Sequence, residues 1–378
     1  MLRRSIQCAS SFKNMGLKTG DAIVLMAPNH LDQAVPFYAA LYLGIATAPI
    51  DRTLGVMLLG YAIRDFSVAA QSLQYSPSFI GLDTFNISTP KIIFCQSEHV
   101  QNIQKAVDLL SLDSKVISFD RSPDTMTFSE MLETYGDRIA VENFKPADFD
   151  PEETIAYLIS TSGTTGLPKC AALSHKNMAV NGPYVCTFAT KLPVTRSALV
   201  LPPLRWLSVL VNYLMSPFFK YTRIQSTHAI TMEHIIELIG KYKPTFMILS
   251  PPMMTTLLKV VKQENCDLSS FEVIYLGGSA VPKTLLEELR VCNFGKHRFS
   301  LAHSIQNKIK EPNTPGEFWI KSPGGFKGYY NNPEATAEVL SKDGWFMTGD
   351  MMYRDENWNF YFVERIKLLL KYKSQKVS

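Results

Sequence analysis

Short apolar runs alternate with helix-length amphipathic stretches along most of this chain. Ala22-Ile23-Val24-Leu25-Met26 is an uninterrupted apolar run behind Gly20-Asp21, the pattern of a strand buried on both faces. Residues 29–43 follow, with Leu31, Val35, Tyr38 and Tyr42 at helical spacing, and Pro36 is expected to kink or restart that helix. Residues 46–50 read as the next strand. Strand, helix and strand in that order predict parallel pairing and an α/β fold. Further buried strands are predicted at 91–95, 116–119, 155–159, 246–250 and 273–276, with helices at 228–242 and 282–291. From Gly316 the period shortens. Glu317-Phe318-Trp319-Ile320 and Asn359-Phe360-Tyr361-Phe362-Val363 predict a small antiparallel sheet or barrel. Residues 144–153 are acidic and carry Pro146 and Pro151, which predicts a surface connector. No internal repeat or low-complexity tract is present.

That connector leads into the run 155–159, and the run leads into Ser160-Thr161-Ser162-Gly163-Thr164-Thr165-Gly166-Leu167-Pro168-Lys169. A buried strand feeding such a segment offers backbone N–H groups, hydroxyls and one ammonium within a few residues. These are the donors a polyphosphate needs, and glycine lets the backbone approach it closely. A nucleotide triphosphate is the expected ligand. The common P-loop is a different pattern, because it needs Gly-Lys-Ser/Thr opening a helix. Here Pro168 precedes the lysine, Cys170 follows it, and proline pushes Leu167 out of the helical region. The blander reading is a solvated Ser/Thr/Gly connector between strand and helix.

Composition narrows the classes. The 378 residues are 46% hydrophobic and 19% charged, ample for one large or two medium globular domains. The formal net charge of +4 is small and the basic residues are scattered, so neither nucleic acid nor an anionic membrane surface is an expected partner. The six cysteines (Cys8, Cys95, Cys170, Cys186, Cys266, Cys292) form no Cys-x-x-Cys pair and read as small buried hydrophobes in a reducing compartment; no metal site is expected among them. Met1-Leu2-Arg3-Arg4-Ser5 has no apolar core behind it and makes a poor secretory signal. The most apolar window, 34–50, has 17 residues; its Pro36, Gly44 and Pro49 fit a buried helix and strand rather than a membrane span.

Several ordered segments resemble the adenylate-forming superfamily, which includes acyl-CoA synthetases, 4-coumarate–CoA ligases, firefly luciferases and peptide-synthetase adenylation domains. Ser160 to Lys169 resembles its phosphate loop, and Ala171-Ala172-Leu173-Ser174-His175-Lys176-Asn177-Met178 its continuation. Tyr275-Leu276-Gly277-Gly278-Ser279-Ala280 resembles the turn beside adenine. Gly328-Tyr329-Tyr330-Asn331-Asn332-Pro333-Glu334-Ala335-Thr336, then Gly344-Trp345-Phe346-Met347-Thr348-Gly349-Asp350, resembles the ribose-side segment, and Glu364-Arg365-Ile366-Lys367 with Lys371-Tyr372-Lys373 the hinge. The insect luciferase-like and 4-coumarate–CoA ligase-like group is the nearest in flavour.

The resemblance implies a large N-terminal domain of two β/α subdomains and a small distorted β-barrel over 1–363, incomplete around 294–312, then a hinge and stub over 364–378. It implies ATP with Mg2+ and coenzyme A, a small aromatic or fatty carboxylic acid as substrate, and fatty acid metabolism in a peroxisomal or cytoplasmic setting, although no targeting signal is visible. The implied reaction joins a carboxylate to AMP and then passes the acyl group to a thiol. Lys169 is the implied partner of the β- and γ-phosphates, with Thr161, Ser162, Gly163, Thr164, Thr165 and Gly166 lining the loop. Gly277, Gly278 and Ser279 would border adenine. Asp350 would accept the ribose hydroxyls, with Arg365 reaching ribose or phosphate. Lys367 and Lys371 would serve as hinge and second-step lysines, unless 367–376 is simply a solvated helix face or tail. His175 reads as the start of a helix capped by Ser174, not as a base.

Three departures accompany these matches. Between Gly278 and Gly316 there is no Tyr-Gly-x-Thr-Glu segment, whose aromatic would stack on adenine and whose Glu would help hold Mg2+; Glu311 lies in unlike surroundings. The family's small C-terminal lid is expected to be missing after Ser378. Residues 55–81 match poorly. A further, local change lies near the acyl pocket, where Leu204-Arg205-Trp206-Leu207 replaces an aromatic–His pair, so Trp206 is expected to reshape that pocket. The expectation is an impaired carboxylate-activating ligase, the alternative a nucleotide-binding pseudoenzyme.

Overall fold

The computed structural model describes residues 1–27, 29–50, 79–161, 169–184, 197–228, 230–264, 266–279, 281–291, 306–307, 311–322, 324–366, 370–372 and 375–377. Strand β1 (Ala22–Met26) pairs in parallel with β2 (Ala46–Pro49) on one side and β3 (Ile92–Cys95) on the other, and β4 (Lys115–Ser118) continues beside β3. Beyond β2 lie β5 (Ile155–Thr161), parallel to it, and β6 (Lys169–Ser174), which returns antiparallel. A two-residue strand, Gly328–Tyr329, completes the seven-stranded sheet.

The apolar runs explain this order. Ile23 and Leu25 join one core, whereas Ala22, Val24 and Met26 join another, so β1 is buried on both faces. One face is covered by helix α1 (Leu2–Asn14) through Cys8 and Phe12 and by α2 (Ala34–Leu43) through Phe37. The other is covered by α3 (Phe79–Ser88) through Phe85 and α4 (Val100–Leu109) through Ile103 and Val107. The predicted restart near Pro36 takes a definite form: a 3-10 turn at Leu31–Gln33 precedes α2, and Pro36 falls in its first turn, where its missing N–H has no intrahelical partner to lose. Helix α5 (Phe128–Tyr135) starts on a capping box between Thr127 and Glu130.

The first core extends to a second sheet, which is parallel throughout and ordered Val273–Leu276, Phe246–Leu249, Ser197–Leu199, Thr222–Ile224. Ala198, Val200, Phe246 and Val273 share that core with Tyr157 and Tyr213, the latter on the helix Leu207–Phe219. Its outer face packs on the helices Met232–Tyr242 and Pro251–Gln263. A four-stranded antiparallel sheet follows, of Gln306–Asn307, Gly316–Lys321, Phe346–Arg354 and Phe360–Arg365. Among the described residues no helix is long and apolar enough to cross a membrane. Cys8, Cys95 and Cys170 are buried and Cys266 is half-buried; Cys186 and Cys292 lie outside the described residues.

Residues 370–372 and 375–377 pair as an antiparallel hairpin, with Lys371 opposite Lys376. This sets aside the helix-face alternative for Lys371 and Lys376. Leu370-Lys371-Tyr372 alternates apolar, polar, apolar, which suits a ribbon.

Candidate functional site

Lys169 opens β6 directly opposite Thr161, the last residue of β5, so the two strands clasp the Ser/Thr/Gly segment between them. The Thr161 hydroxyl donates to the Lys169 carbonyl at 3.1 Å. One residue earlier, Ser160 Oγ lies 2.7 Å from Thr84 Oγ1 on α3, which anchors the end of β5. The Lys169 ammonium sits 3.5 Å from Glu338 Oε2 and 5.2 Å from the centroid of the Tyr329 ring. Burial first, and the Glu338 charge second, push the Tyr329 phenol above its ordinary range, so it stays neutral. Ser162, Gly163, Thr164, Thr165 and Gly166 lie outside the described residues.

A local scaffold holds Tyr329 and Glu338. Gly328 and Tyr329 pair with Ala172 and Ala171. The short helix Pro333–Ala337 is capped by the Asn332 side chain, which accepts from Ala335 N–H at 2.9 Å. Its Thr336 hydroxyl accepts from Tyr329 N–H at 2.8 Å. Glu338 follows that helix directly and donates its own N–H to the Glu334 carbonyl at 3.2 Å.

Asp350 and Arg365 face each other across the strands Phe346–Arg354 and Phe360–Arg365 and form an ion pair. Arg365 also donates to the Thr348 carbonyl at 3.2 Å. Gly349 sits between them at φ +70, a left-handed conformation that suits glycine. Its N–H donates to Glu317 Oε1 at 3.1 Å, while Glu317 Oε2 accepts from the Trp319 indole at 2.8 Å. The Thr348 hydroxyl donates to the Phe318 carbonyl at 2.6 Å and accepts from Asp350 N–H at 3.1 Å. The carboxylate–guanidinium pair is therefore fixed on two paired, braced strands rather than on a free loop.

Gly277, Gly278 and Ser279 leave the carboxyl end of the strand Val273–Leu276 and are exposed. Gly278 has φ +89, and a Cβ added at either glycine would meet no heavy atom within 4 Å, so the turn presents bare backbone to open space. Gly277 N–H donates to the Leu249 carbonyl at 3.1 Å, which fixes the turn to the neighbouring strand. Thr161 likewise ends a strand that runs parallel to β2. Carboxyl ends of parallel strands are where open α/β sheets bind their ligands.

Other expected residues sort plainly. Ser174 caps the helix His175–Ala179 through a capping box with Asn177, as its sequence position implies. His175 packs its ring 4.5 Å from that of Phe149, and burial lowers its pKa from 6.5 to about 4. A neutral, packed imidazole fits the helix-start reading. Trp206 occupies the N-cap of the helix Leu207–Phe219, with the Arg205 guanidinium 5.1 Å from its ring centroid. Lys367 lies outside the described residues, and Lys371 is described by its backbone alone. The contributions of Glu317, Tyr329 and Glu338 to the site went unforeseen. The two-residue spacing of Glu317 and Trp319 on one strand face is a signal for the first; the partnership of Glu338 with Lys169 leaves no local trace.

Comparison with known proteins agrees with this geometry. The profile of the family described as AMP-binding enzyme matches residues 1–301. The chain is 27% identical to a luciferin 4-monooxygenase of Photuris pensylvanica, over 100% of this chain and 72% of that protein. It is 26% identical to a 4-coumarate–CoA ligase of Vanilla planifolia, over 99% of this chain and 71% of the relative. The solved structure of the luciferase-like enzyme from the nonluminescent mealworm Zophobas morio superposes with a TM-score of 0.78 at 25% identity, covering 98% of this chain and 88% of that one. With a family profile spanning most of its length and both sheets in place, this chain belongs to the AMP-binding enzyme family.

Proposed function

We propose that this protein activates a small carboxylic acid with ATP and passes the acyl group to coenzyme A. In the first step a carboxylate oxygen attacks the α-phosphorus, the bond to the β-phosphate breaks, and pyrophosphate leaves. In the second, the thiol sulfur bonds to the acyl carbon and AMP departs. Little covalent work falls to the protein, which must align the reactants and neutralise charge developing on the phosphate oxygens. The observation that carries this reading is Lys169, a half-buried ammonium at the point where β5 and β6 clasp the Ser/Thr/Gly segment. Asp350, held by Arg365, supplies a carboxylate suited to a ribose diol. The exposed backbone at Gly277 and Gly278 suits the flat face of adenine. Magnesium would arrive with the triphosphate, coordinated mainly by phosphate oxygens and water. The relatives include a 4-coumarate–CoA ligase and a long-chain-fatty-acid–CoA ligase of Bacillus subtilis, which supports an aromatic or fatty acid as substrate. Such an acid fits a cytoplasmic or peroxisomal setting.

One observation favours a second reading, nucleotide binding without ligation. The sequence from Gly278 to Gly316 holds no Tyr-Gly-x-Thr-Glu segment. One missing charge contact at the transferring phosphate corresponds to ~3 kcal/mol, about a hundredfold in rate. Adenylate formation is therefore expected to be slow. Acid-dependent pyrophosphate release across cinnamates, medium-chain and long-chain acids, with mass-spectrometric detection of CoA esters, separates the two. Release and thioester with any acid support ligation. ATP binding without release from the whole panel supports the second reading.

A further inference from the structure

Lys169 already has a partner. Its ammonium lies 3.5 Å from Glu338 Oε2, above the Tyr329 ring, and its side chain is 21% exposed against 68% for Glu338. Both neighbours come from a segment remote in sequence that is tied to β6 by strand pairing and fixed by the Thr336 and Asn332 bonds. The backbone that carries the carboxylate is thus placed beside the lysine by a built scaffold. An ammonium so engaged must release its carboxylate before it can contact phosphate oxygens.

We propose that Glu338 is a built-in competitor for the triphosphate: it holds the Lys169 ammonium over Tyr329 in the nucleotide-free protein, and ATP must displace it. This rests on the phosphate role proposed above for Lys169. A triphosphate brings several negative charges against one, so it wins the exchange, at a cost equal to the coupling of an exposed ion pair. When pyrophosphate leaves, Glu338 retakes the lysine and opposes rebinding. A nucleoside monophosphate has no β- or γ-phosphate and does not enter the competition.

The test is calorimetric binding of MgATP and of AMP to the full chain and to Glu338→Gln, Glu338→Asp, Lys169→Ala and the Lys169→Ala/Glu338→Gln double variant. Glu338→Gln should tighten MgATP about two- to fivefold, the range for an exposed pair, and leave AMP unchanged. Glu338→Asp should stay near the parent, and the gain should vanish in the Lys169→Ala background. An equal change for AMP, a gain that persists without Lys169, or no gain while Lys169→Ala still weakens MgATP would each overturn the competitor role. If Lys169→Ala leaves MgATP affinity unaltered, the phosphate reading itself falls. Glu338→Ala repeats the comparison should the glutamine variant fail to accumulate.

Discussion

His175 offers a quantitative handle on the strand that carries Lys169. It begins the helix immediately after β6, its ring lies against Phe149, and its buried Nε2 has no hydrogen-bond partner among the described residues. Burial lowers its pKa from 6.5 to about 4, so the folded state resists the proton that the unfolded chain accepts. A depressed imidazole pKa means that stability is complete above about pH 6.5 and is lost as the pH falls toward 4. Taken in full, that interval corresponds to ~3 kcal/mol, and partial solvent exposure of the ring reduces the expected loss to about 1–2 kcal/mol. Replacing His175 with Phe removes the titration while keeping a ring against Phe149. Urea denaturation at steps between pH 7 and pH 4.5 should show the parent losing this increment relative to His175→Phe. Parallel stability curves for the two proteins would refute the argument, as would an imidazole that titrates near 6.5 by NMR.

Other perturbations address the site and its frame. Tyr157 is fully buried and its hydroxyl donates to the Leu204 carbonyl at 2.6 Å, so Tyr157→Phe should cost about 1–2 kcal/mol in a thermal or urea melt with the fold kept; no loss would show that bond to be idle. Asp350→Asn keeps the shape but removes the charge facing Arg365; nucleotide affinity by calorimetry should fall roughly tenfold or more with under about 1 kcal/mol of destabilisation, and a large stability loss with unchanged affinity would make the pair purely structural. Gly349→Ala forces a side chain onto φ +70 in open space, so about 1 kcal/mol should be lost through backbone strain alone, visible as a lowered Tm.

The parallel strands were legible because their apolar runs lack alternation, and burial on both faces requires that. Val24 and Leu25 serve different cores only one residue apart. The Ser174 cap was legible for a related reason: it is a local chemical pattern, whereas Thr348-Gly349-Asp350 lies within the strand Phe346–Arg354. What stayed hidden depends on strand register. Glu338 meets Lys169 across 169 positions because Tyr329 pairs with Ala171, and no periodicity reports that pairing. The acidic connector around Pro151 was readable as surface, but its Phe149, which packs on His175, was masked by polar neighbours. For the terminal lysines the sequence left a helix face and a tail both open, because basic spacing alone does not separate them from a ribbon when alternating apolar partners are few.

The reversal of direction at β6 has a consequence for how an anion is held. In a P-loop the helix that follows the phosphate segment points its N-terminus at the ligand, and oriented backbone N–H groups supply much of the attraction. Here the chain runs back along all six residues of β6 before a helix begins at His175, which puts that helix start ~17 Å from Lys169. That helix is too remote for its dipole to reach a phosphate beside Lys169, because the effect fades within one turn. The attraction that a helix start supplies in a P-loop is therefore left here to the Lys169 side chain and its neighbouring segment, and the lysine's share is one that a single codon change or an acyl group on nitrogen can erase while the strand beneath stays intact.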